Sequence, residues 1–418
     1  MSKIILLGLP GAGISVDQAA ELRDCVLIVG GARHLESVAD LAAEKGNITP
    51  LSESLTQIRQ ALNQGSVGVL ASGDPLFFGI GRRLLNEFGT ERVEVRPALS
   101  TLQEACARFK VSWDDAAVVS LHGRSPLHLP GELLRNRKTL VFTDRRNSPD
   151  AIAARIVDYL ELIGADGLLS EYMVYVAENL GTVEERIVTG TLSEIAGLRF
   201  ADLNVLLLAG PGPDKKRPVF GLEESEISHS RGLITKDEVR AVTIHKLFLP
   251  ARGVFWDLGA GSGSVALESA RLNPGLTVYA VEKKEEEVAN IKENIRNYGC
   301  WNVIPVQGVA PGVLGELPDP DRVFIGGSGG NLLGIIEEAA RRLTVSTADG
   351  GDEGRLVVNG VTEETVRQAP VMMKDQGLSV ELCRVEVARN CYPDSGVAEQ
   401  SFNPITVMTG MKTGDTGV

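Results

Sequence analysis

Three features close together in the chain have the types and spacing of a small-molecule cradle. They are Asp257, the loop Gly259-Ala260-Gly261-Ser262-Gly263 and Glu282. Glycines permit positive φ and let a ligand approach the backbone, while the free N–H groups at the start of a following helix face the same space. Glu282 lies 23 residues beyond Gly259. That is close to the ~20 at which an acid ending the next strand can take both hydroxyls of a ribose.

The spacing separates two cofactors. A dinucleotide fingerprint, GxGxxG, needs glycine at position 264, which is Ser264. The loop is instead GxGxG (Gly259, Gly261, Gly263), preceded by Asp257. A carboxylate there would repel a pyrophosphate and can pair with the ammonium of the methionine tail of S-adenosylmethionine (SAM). SAM is therefore the expected cofactor, with a nicotinamide dinucleotide as the rival.

A second glycine-rich turn, Gly8-Leu9-Pro10-Gly11-Ala12-Gly13, follows the apolar run Ile4–Leu7, about 250 residues before the first. Their surroundings differ, so two unlike domains are expected. Ser72-Gly73-Asp74-Pro75 reads as a strand-ending turn in which Gly73 allows close approach and Pro75 opens a helix. Asp74 is either a helix cap or a site residue. Between His122 and Arg146 the chain carries six Lys/Arg against two acids. This is either a solvated surface or a patch for a small polyanion.

The elements that must hold these residues alternate. In the first part, apolar runs at Cys25–Val29, Val67–Leu70, Val93–Arg96, Ala117–Ser120, Thr139–Phe142, Tyr172–Val176 and Val205–Leu208 predict strands. Helical spacing falls at Thr56–Asn63, Gly79–Glu87, Thr101–Phe109 and Pro149–Leu162. In the second part the strands expected are Val254–Leu258, Thr277–Val281, Val303–Val306, Arg322–Ile325 and Arg355–Val358. The helices expected are Lys236–Leu249, Ser264–Arg271, Lys284–Tyr298 and Leu332–Leu343. Residues 347–354 read as a helix-to-strand loop. The fold class is α/β, and the Pro/Gly/charge-rich stretch Gly210–Pro218 marks the joint. The division expected is 1–210, a linker at 211–228, and 229–418.

Bulk properties exclude several classes. The net charge of −13 argues against a general nucleic-acid binder. No apolar run reaches the ~18 residues of a membrane span, and the N-terminal run is too short for a signal peptide, so a cytoplasmic enzyme is expected. Five cysteines and five histidines are scattered, without ligand spacing. No metal site is expected, and a reducing compartment is.

Residues 229–343 resemble the precorrin-6B C-15 methyltransferase (decarboxylating) family of cobalamin biosynthesis. The segments that carry the likeness are Gly232–Arg240, with Thr235-Lys236 and Val239-Arg240, then Trp256–Val265 and Phe324–Gly330. The resemblance implies a Rossmann-like class I SAM methyltransferase domain with Gln307 and Gly308 bordering the adenine. The first 210 residues resemble the tetrapyrrole methylase superfamily in its precorrin-7 C-5 methyltransferase branch. Val69–Gly81, Pro97–Gln103, Val119–Arg124, Ala177–Gly181 and Ala201–Val205 carry that likeness. It implies two α/β subdomains and a second SAM site at Gly8, Gly11, Gly73, Asp74, Leu76, Phe77, Ser100 and Thr101. The family's usual Gly-x-Gly-Pro-Gly opening is altered here.

Together the resemblances imply one SAM per domain, C-5 and C-15 methylation, loss of CO₂ from the C-12 acetate, and a tetrapyrrole polycarboxylate as substrate. Clamps for its carboxylates are expected at His122, Arg124, Arg231, Thr235, Lys236 and Arg240. Positioning can carry much of a methyl transfer to an electron-rich ring carbon, so no catalytic acid or base is assigned. A homo-oligomer is expected, with neither a nucleic-acid nor a membrane partner. A dinucleotide-dependent oxidoreductase, an RNA methyltransferase, and a first domain reduced to a scaffold by its altered loop are the alternatives.

Overall fold

The computed structural model describes residues 2–10, 13–121, 123, 128–212, 219–230, 234–345, 353–391 and 398–413. Gly11, His122, Arg124 and Arg231 lie outside them. The chain divides into two compact units. One comprises residues 1–124, 138–154 and 170–210, and the other 125–137, 155–169 and 211–418.

The first unit holds two five-stranded sheets. In the first sheet β1 (Ile4–Leu9), β2 (Cys25–Gly30), β3 (Glu44–Asn47), β4 (Ser66–Ser72) and β5 (Val93–Arg96) run parallel in the order β3-β2-β4-β1-β5. The second sheet contains β6 (Ala117–Ser120), β7 (Lys138–Phe142), β8 (Met173–Glu178), β9 (Arg186–Thr191) and β10 (Asn204–Ala209), in the order β6-β7-β10-β8-β9. Here only β6 and β7 pair in parallel. Ile4, Leu6, Val29, Ile58, Val67, Val69 and Leu84 form the core on one face of the first sheet. Such near-continuous apolar strands are what a sheet covered on both faces requires.

The second unit is built on β11 (Arg252–Leu258), β12 (Gly275–Glu282), β13 (Val303–Gln307), β14 (Arg322–Ile325), β15 (Glu353–Gly360) and β16 (Ser379–Val385). A hairpin of β17 (Ala388–Cys391) and β18 (Ala398–Ser401) follows, and then β19 (Ile405–Thr413). The seven-stranded sheet has the order β13-β12-β11-β14-β15-β19-β16 and is parallel up to β15; β19 is antiparallel to both its neighbours. Side chains alternate across a strand. Val254, Trp256 and Leu258 therefore join the core with Val323, Ile325, Ile336 and Leu356, while Asp257 faces the opposite side, toward the helix Ser264–Leu272.

Strand and helix positions match the sequence reading to within a few residues for most elements. Three parts differ. The strand β3 (Glu-Lys-Gly-Asn) has no apolar run, and β9 carries only Ile187 and Val188. The third is everything beyond residue 360: a helix over Glu363–Asp375 that contains Pro370, then β16 to β19. Residues 346–352 of the expected loop lie outside the described residues, while Glu353 and Gly354 begin β15.

Candidate functional site

In the second unit, the C-terminal ends of β11, β12, β13 and β14 open into a cavity of about 660 Å³. This is where open parallel sheets bind ligands. Its floor is the glycine loop. Gly259 has φ +69°, and a Cβ on it would lie 2.4 Å from the Gly327 carbonyl oxygen and 2.7 Å from the Gly327 nitrogen. The loop after β11 and the Ile325–Gly330 loop after β14 therefore touch backbone to backbone, which only glycine allows here.

Glu282 lines the cavity at the end of β12. Its Oε2 accepts the Gly261 N–H at 3.0 Å, and Oε1 accepts those of Lys283 and Lys284 at 2.9 and 3.0 Å. Three donors fix the carboxylate, and Oε2 keeps a lone pair for a ligand hydroxyl.

Asp257 stands elsewhere than expected. It is fully buried beneath the loop and does not line the cavity. Its Oδ2 accepts the Ala266 N–H at 2.9 Å in the first turn of the following helix, and Oδ1 is buried without a partner among the described residues. Burial pushes the carboxyl up to about 7, opposed by that hydrogen bond and reinforced by the nearby Glu282 charge.

The other expected residues divide. Gly261, Gly308, Thr235 and Lys236 line the cavity. Gly263 is the left-handed residue from which the helix starts. Gln307 is exposed and does not line the cavity. Arg240 is a correction: it is 2% exposed and turned inward. Its guanidinium donates to the carbonyl oxygens of Thr235 and Leu222 and to Asp237, with Glu268 at 3.8 Å. Buried and satisfied, it organises the segment before the cavity and is not available to clamp a ligand. Lys236 is engaged too, paired with Glu224 and 5.3 Å from the Phe402 ring centroid.

Residues that the sequence did not point to complete the walls: Lys283, Asn359, Val387, Phe402 and Asn403. Arg389, on the hairpin, lies 5.0 Å from the Phe402 ring on its own account and pairs with Glu238 and Glu224 at 2.8 Å each. Only the position of Lys283, directly after Glu282, was a usable signal.

In the first unit a cavity of about 780 Å³ lies among the ends of both sheets. Gly73, Thr101, Leu9 and Asn179 line it. A Cβ on Gly8 would lie 1.9 Å from the Gly73 carbonyl oxygen, so Gly8 supports the turn from below. Ser100 caps the helix Thr101–Phe109, with its hydroxyl accepting the Gln103 N–H and the Gln103 side chain accepting that of Ser100. Asp74, Leu76 and Phe77 do not line the cavity. Asp74 accepts the Leu76 N–H at 2.9 Å in its own turn, Leu76 is exposed, and Phe77 packs against Phe78 and Phe142. At the rim, Ser72 meets His34 at 3.1 Å and Arg33 at 3.3 Å. Burial and the Arg33 charge lower the His34 pKa. Arg145 and Arg146, the end of the basic run, also line this cavity.

Among the described residues no group of three or more His, Cys, Asp or Glu is arranged to hold a metal ion, and no helix is long and apolar enough to cross a membrane.

Comparison with known proteins gives these two cavities a context. Residues 4–196 match the family model described as Tetrapyrrole (Corrin/Porphyrin) Methylases, and residues 226–409 match the Precorrin methyltransferase domain. A precorrin-6Y C(5,15)-methyltransferase [decarboxylating] from Sinorhizobium sp. is 32% identical over 408 residues, covering 96% of this chain and 91% of the relative. The chain belongs to the precorrin-6Y C(5,15)-methyltransferase (decarboxylating) family. A relative of the same name from Mycobacterium tuberculosis (strain CDC 1551 / Oshkosh) is 31% identical over 87% of both chains. A probable cobalt-precorrin-6B C(15)-methyltransferase (decarboxylating) from Pyrobaculum calidifontis is 35% identical over 45% of this chain and 94% of its own. That shorter relative covers a length close to that of the 226–409 match. Membership of a methyltransferase family also decides between the two cofactors left open by the glycine spacing: the family uses SAM.

Proposed function

We propose that this chain transfers two methyl groups and releases one CO₂ on a precorrin-6Y-type ring, with C-5 methylation in the N-terminal part and C-15 methylation with decarboxylation in the C-terminal part. The proposed division is 1–210 and 229–418, with one SAM in each part. The observation that carries this reading is the alignment of nearly the whole chain with a bifunctional relative. It is supported by the cradle of Gly259, Gly327 and Glu282 in the second unit, whose residues fit SAM.

In the second unit Glu282 would hold the ribose hydroxyls, and Gly308 with Val309 would edge the adenine. The Asp257 oxygen beneath the loop would favour the ammonium end electrostatically, from behind the backbone. SAM supplies a methyl group already activated on a sulfonium. The protein's task is then to exclude water and orient the acceptor carbon, a positioning effect that is worth up to roughly 7–11 kcal/mol. Val281, Phe324, Ile335 and Phe402 give the cavity apolar surface for a macrocycle. Decarboxylation needs an electron sink, which the conjugated ring itself provides. No side chain need act as base.

An enzyme of this type is expected in the cytoplasm as a homo-oligomer, acting on a tetrapyrrole and not on nucleic acid; the −13 net charge favours that reading over an RNA substrate. The test is to incubate the intact chain with precorrin-6Y and SAM and follow product mass and CO₂. Two methyl gains and one CO₂ loss support the reading; an unchanged ring overturns it.

A further inference from the structure

Resting on that reading, we infer that Lys283 is a specificity-determining residue of the C-15 half-reaction, holding a carboxylate of the substrate ring against the loop Ser328-Gly329. The argument begins with the cations of the second cavity. Arg240 is buried and satisfied. Lys236 is neutralised by Glu224, and Arg389 by Glu224 and Glu238. Lys283 and Lys284 also line the cavity, and among the described residues neither has a carboxylate within ion-pairing distance. Glu287, the nearby buried acid of the cavity wall, accepts from Asn290.

Lys283 differs from Lys284 in where its ammonium goes. It reaches over the loop after β14, where a Cβ on Gly329 would lie 3.4 Å from Nζ. In that loop Gly326 and Gly327 donate to Leu258 and Asn331 donates to Ser328. The N–H groups of Ser328 and Gly329 find no acceptor among the described residues, and both residues line the cavity. One unpaired ammonium and two successive unpaired N–H groups on the same cavity wall make a donor set for a carboxylate. The carboxylate of Glu282, which would hold the ribose, is the adjacent residue and already accepts three backbone N–H groups. Lys283 is therefore not needed to neutralise it.

A ring bearing several carboxylates must be held in one rotational setting for one meso carbon to face the methyl donor. A single charge-assisted contact at Lys283 and the Ser328-Gly329 loop would define that setting. Lysine suits the task because it acts as a point charge on a flexible stem, tolerant of a flexible acetate or propionate arm.

The experiment measures CO₂ release by the intact chain with precorrin-6Y and SAM, because CO₂ reports the C-terminal reaction alone. Lys283→Gln is expected to raise KM for precorrin-6Y at least tenfold, which corresponds to ~1.4 kcal/mol. KM for SAM should stay within twofold, kcat within threefold, and C-5 methylation should be unchanged. Lys283→Arg should restore most of the loss. Added salt should raise KM for the wild type more steeply than for Lys283→Gln. A precorrin-6Y KM within twofold of wild type in Lys283→Gln overturns the assignment, and so does an equal loss of SAM affinity. Wild-type chain that releases no CO₂ would instead refute the function proposed above, and this inference with it.

Discussion

Replacing Gly259 by alanine tests the cradle of the second unit most directly. The cost has two parts that can be separated. Forcing an L-residue to φ +69° costs ~1–2 kcal/mol. The new methyl would also stand 2.4 to 2.8 Å from three backbone atoms of Gly327, so the neighbouring loop must move. Overpacking of this kind adds ~1–3 kcal/mol. The sum is about 2–5 kcal/mol. For a unit of this size that lowers its Tm by ~4–20 °C, at 2–4 °C per kcal/mol. Gly377 isolates the first part: its φ is +77°, but among the described residues nothing lies within 4 Å of an added Cβ. Gly377→Ala should cost only the conformational share. Tryptophan fluorescence is a suitable probe, because Trp256 and Trp301 are buried in the second unit while Trp113 in the first is exposed. Calorimetry should show one of two SAM sites lost in Gly259→Ala and both retained in Gly377→Ala. Equal destabilisation by the two changes, or two intact SAM sites in Gly259→Ala, would refute the reasoning.

Other perturbations follow from the same structure. Gly8→Ala, whose methyl would meet the Gly73 carbonyl, should abolish C-5 methylation while CO₂ release persists; loss of both activities in a folded protein would contradict independent sites. Asp257 has a folded pKa raised to about 7 from 3.8. Its contribution to stability is therefore fully present below pH ~4 and is lost as pH rises through 7, with a slope approaching ~1.4 kcal/mol per pH unit. Asp257→Asn removes that titration, so urea unfolding at pH 5 and pH 8 should find the wild type losing ground to the variant at the higher pH; parallel behaviour would count against it. Glu282→Ala strands the N–H groups of Gly261, Lys283 and Lys284. It should weaken SAM binding by tenfold or more in calorimetry, with Glu282→Gln intermediate. Arg389→Ala removes the pairs to Glu224 and Glu238 and should hasten protease cleavage within residues 386–402; an unchanged digestion rate would argue against the hairpin being held there.

The sequence was most informative where local chemistry and tertiary structure ask for the same thing. Apolar strands such as Val254–Leu258 had to be buried, and the glycines after them had to turn, so β11, its loop and Glu282 could be placed in advance. Three kinds of position could not be read this way. Glu44–Asn47 is a strand because β2 offers an edge, not because its side chains favour one. Arg240 looked like a clamp because a cation near a cavity is attractive on paper, yet the carbonyl oxygens of Thr235 and Leu222 claim it first. Asp257 occupies the expected place in the chain, but strand alternation turns it to the helix side of the sheet. Phe402 and Val387 reach the cavity from beyond the segments that carried the resemblance, at the two ends of a hairpin whose strands are too polar to announce a buried role.

Both units share an ordering in time that their strand orders imply. β10 is the last strand of the first unit yet lies between β7 and β8, and β19 is the last of the second yet lies between β15 and β16. During synthesis, which releases N-terminal segments first, neither mixed sheet can be completed until its final strand is made. Until then β15 and β16 carry open edges of the kind that invite wrong pairing. The first unit is sealed by residues 204–209 and can reach its native state while the second is still being translated. The second gains its cooperativity only once residues 405–413 are made. Yield and solubility of this protein should therefore respond more sharply to changes in residues 405–413 than their distance from the glycine loop would suggest.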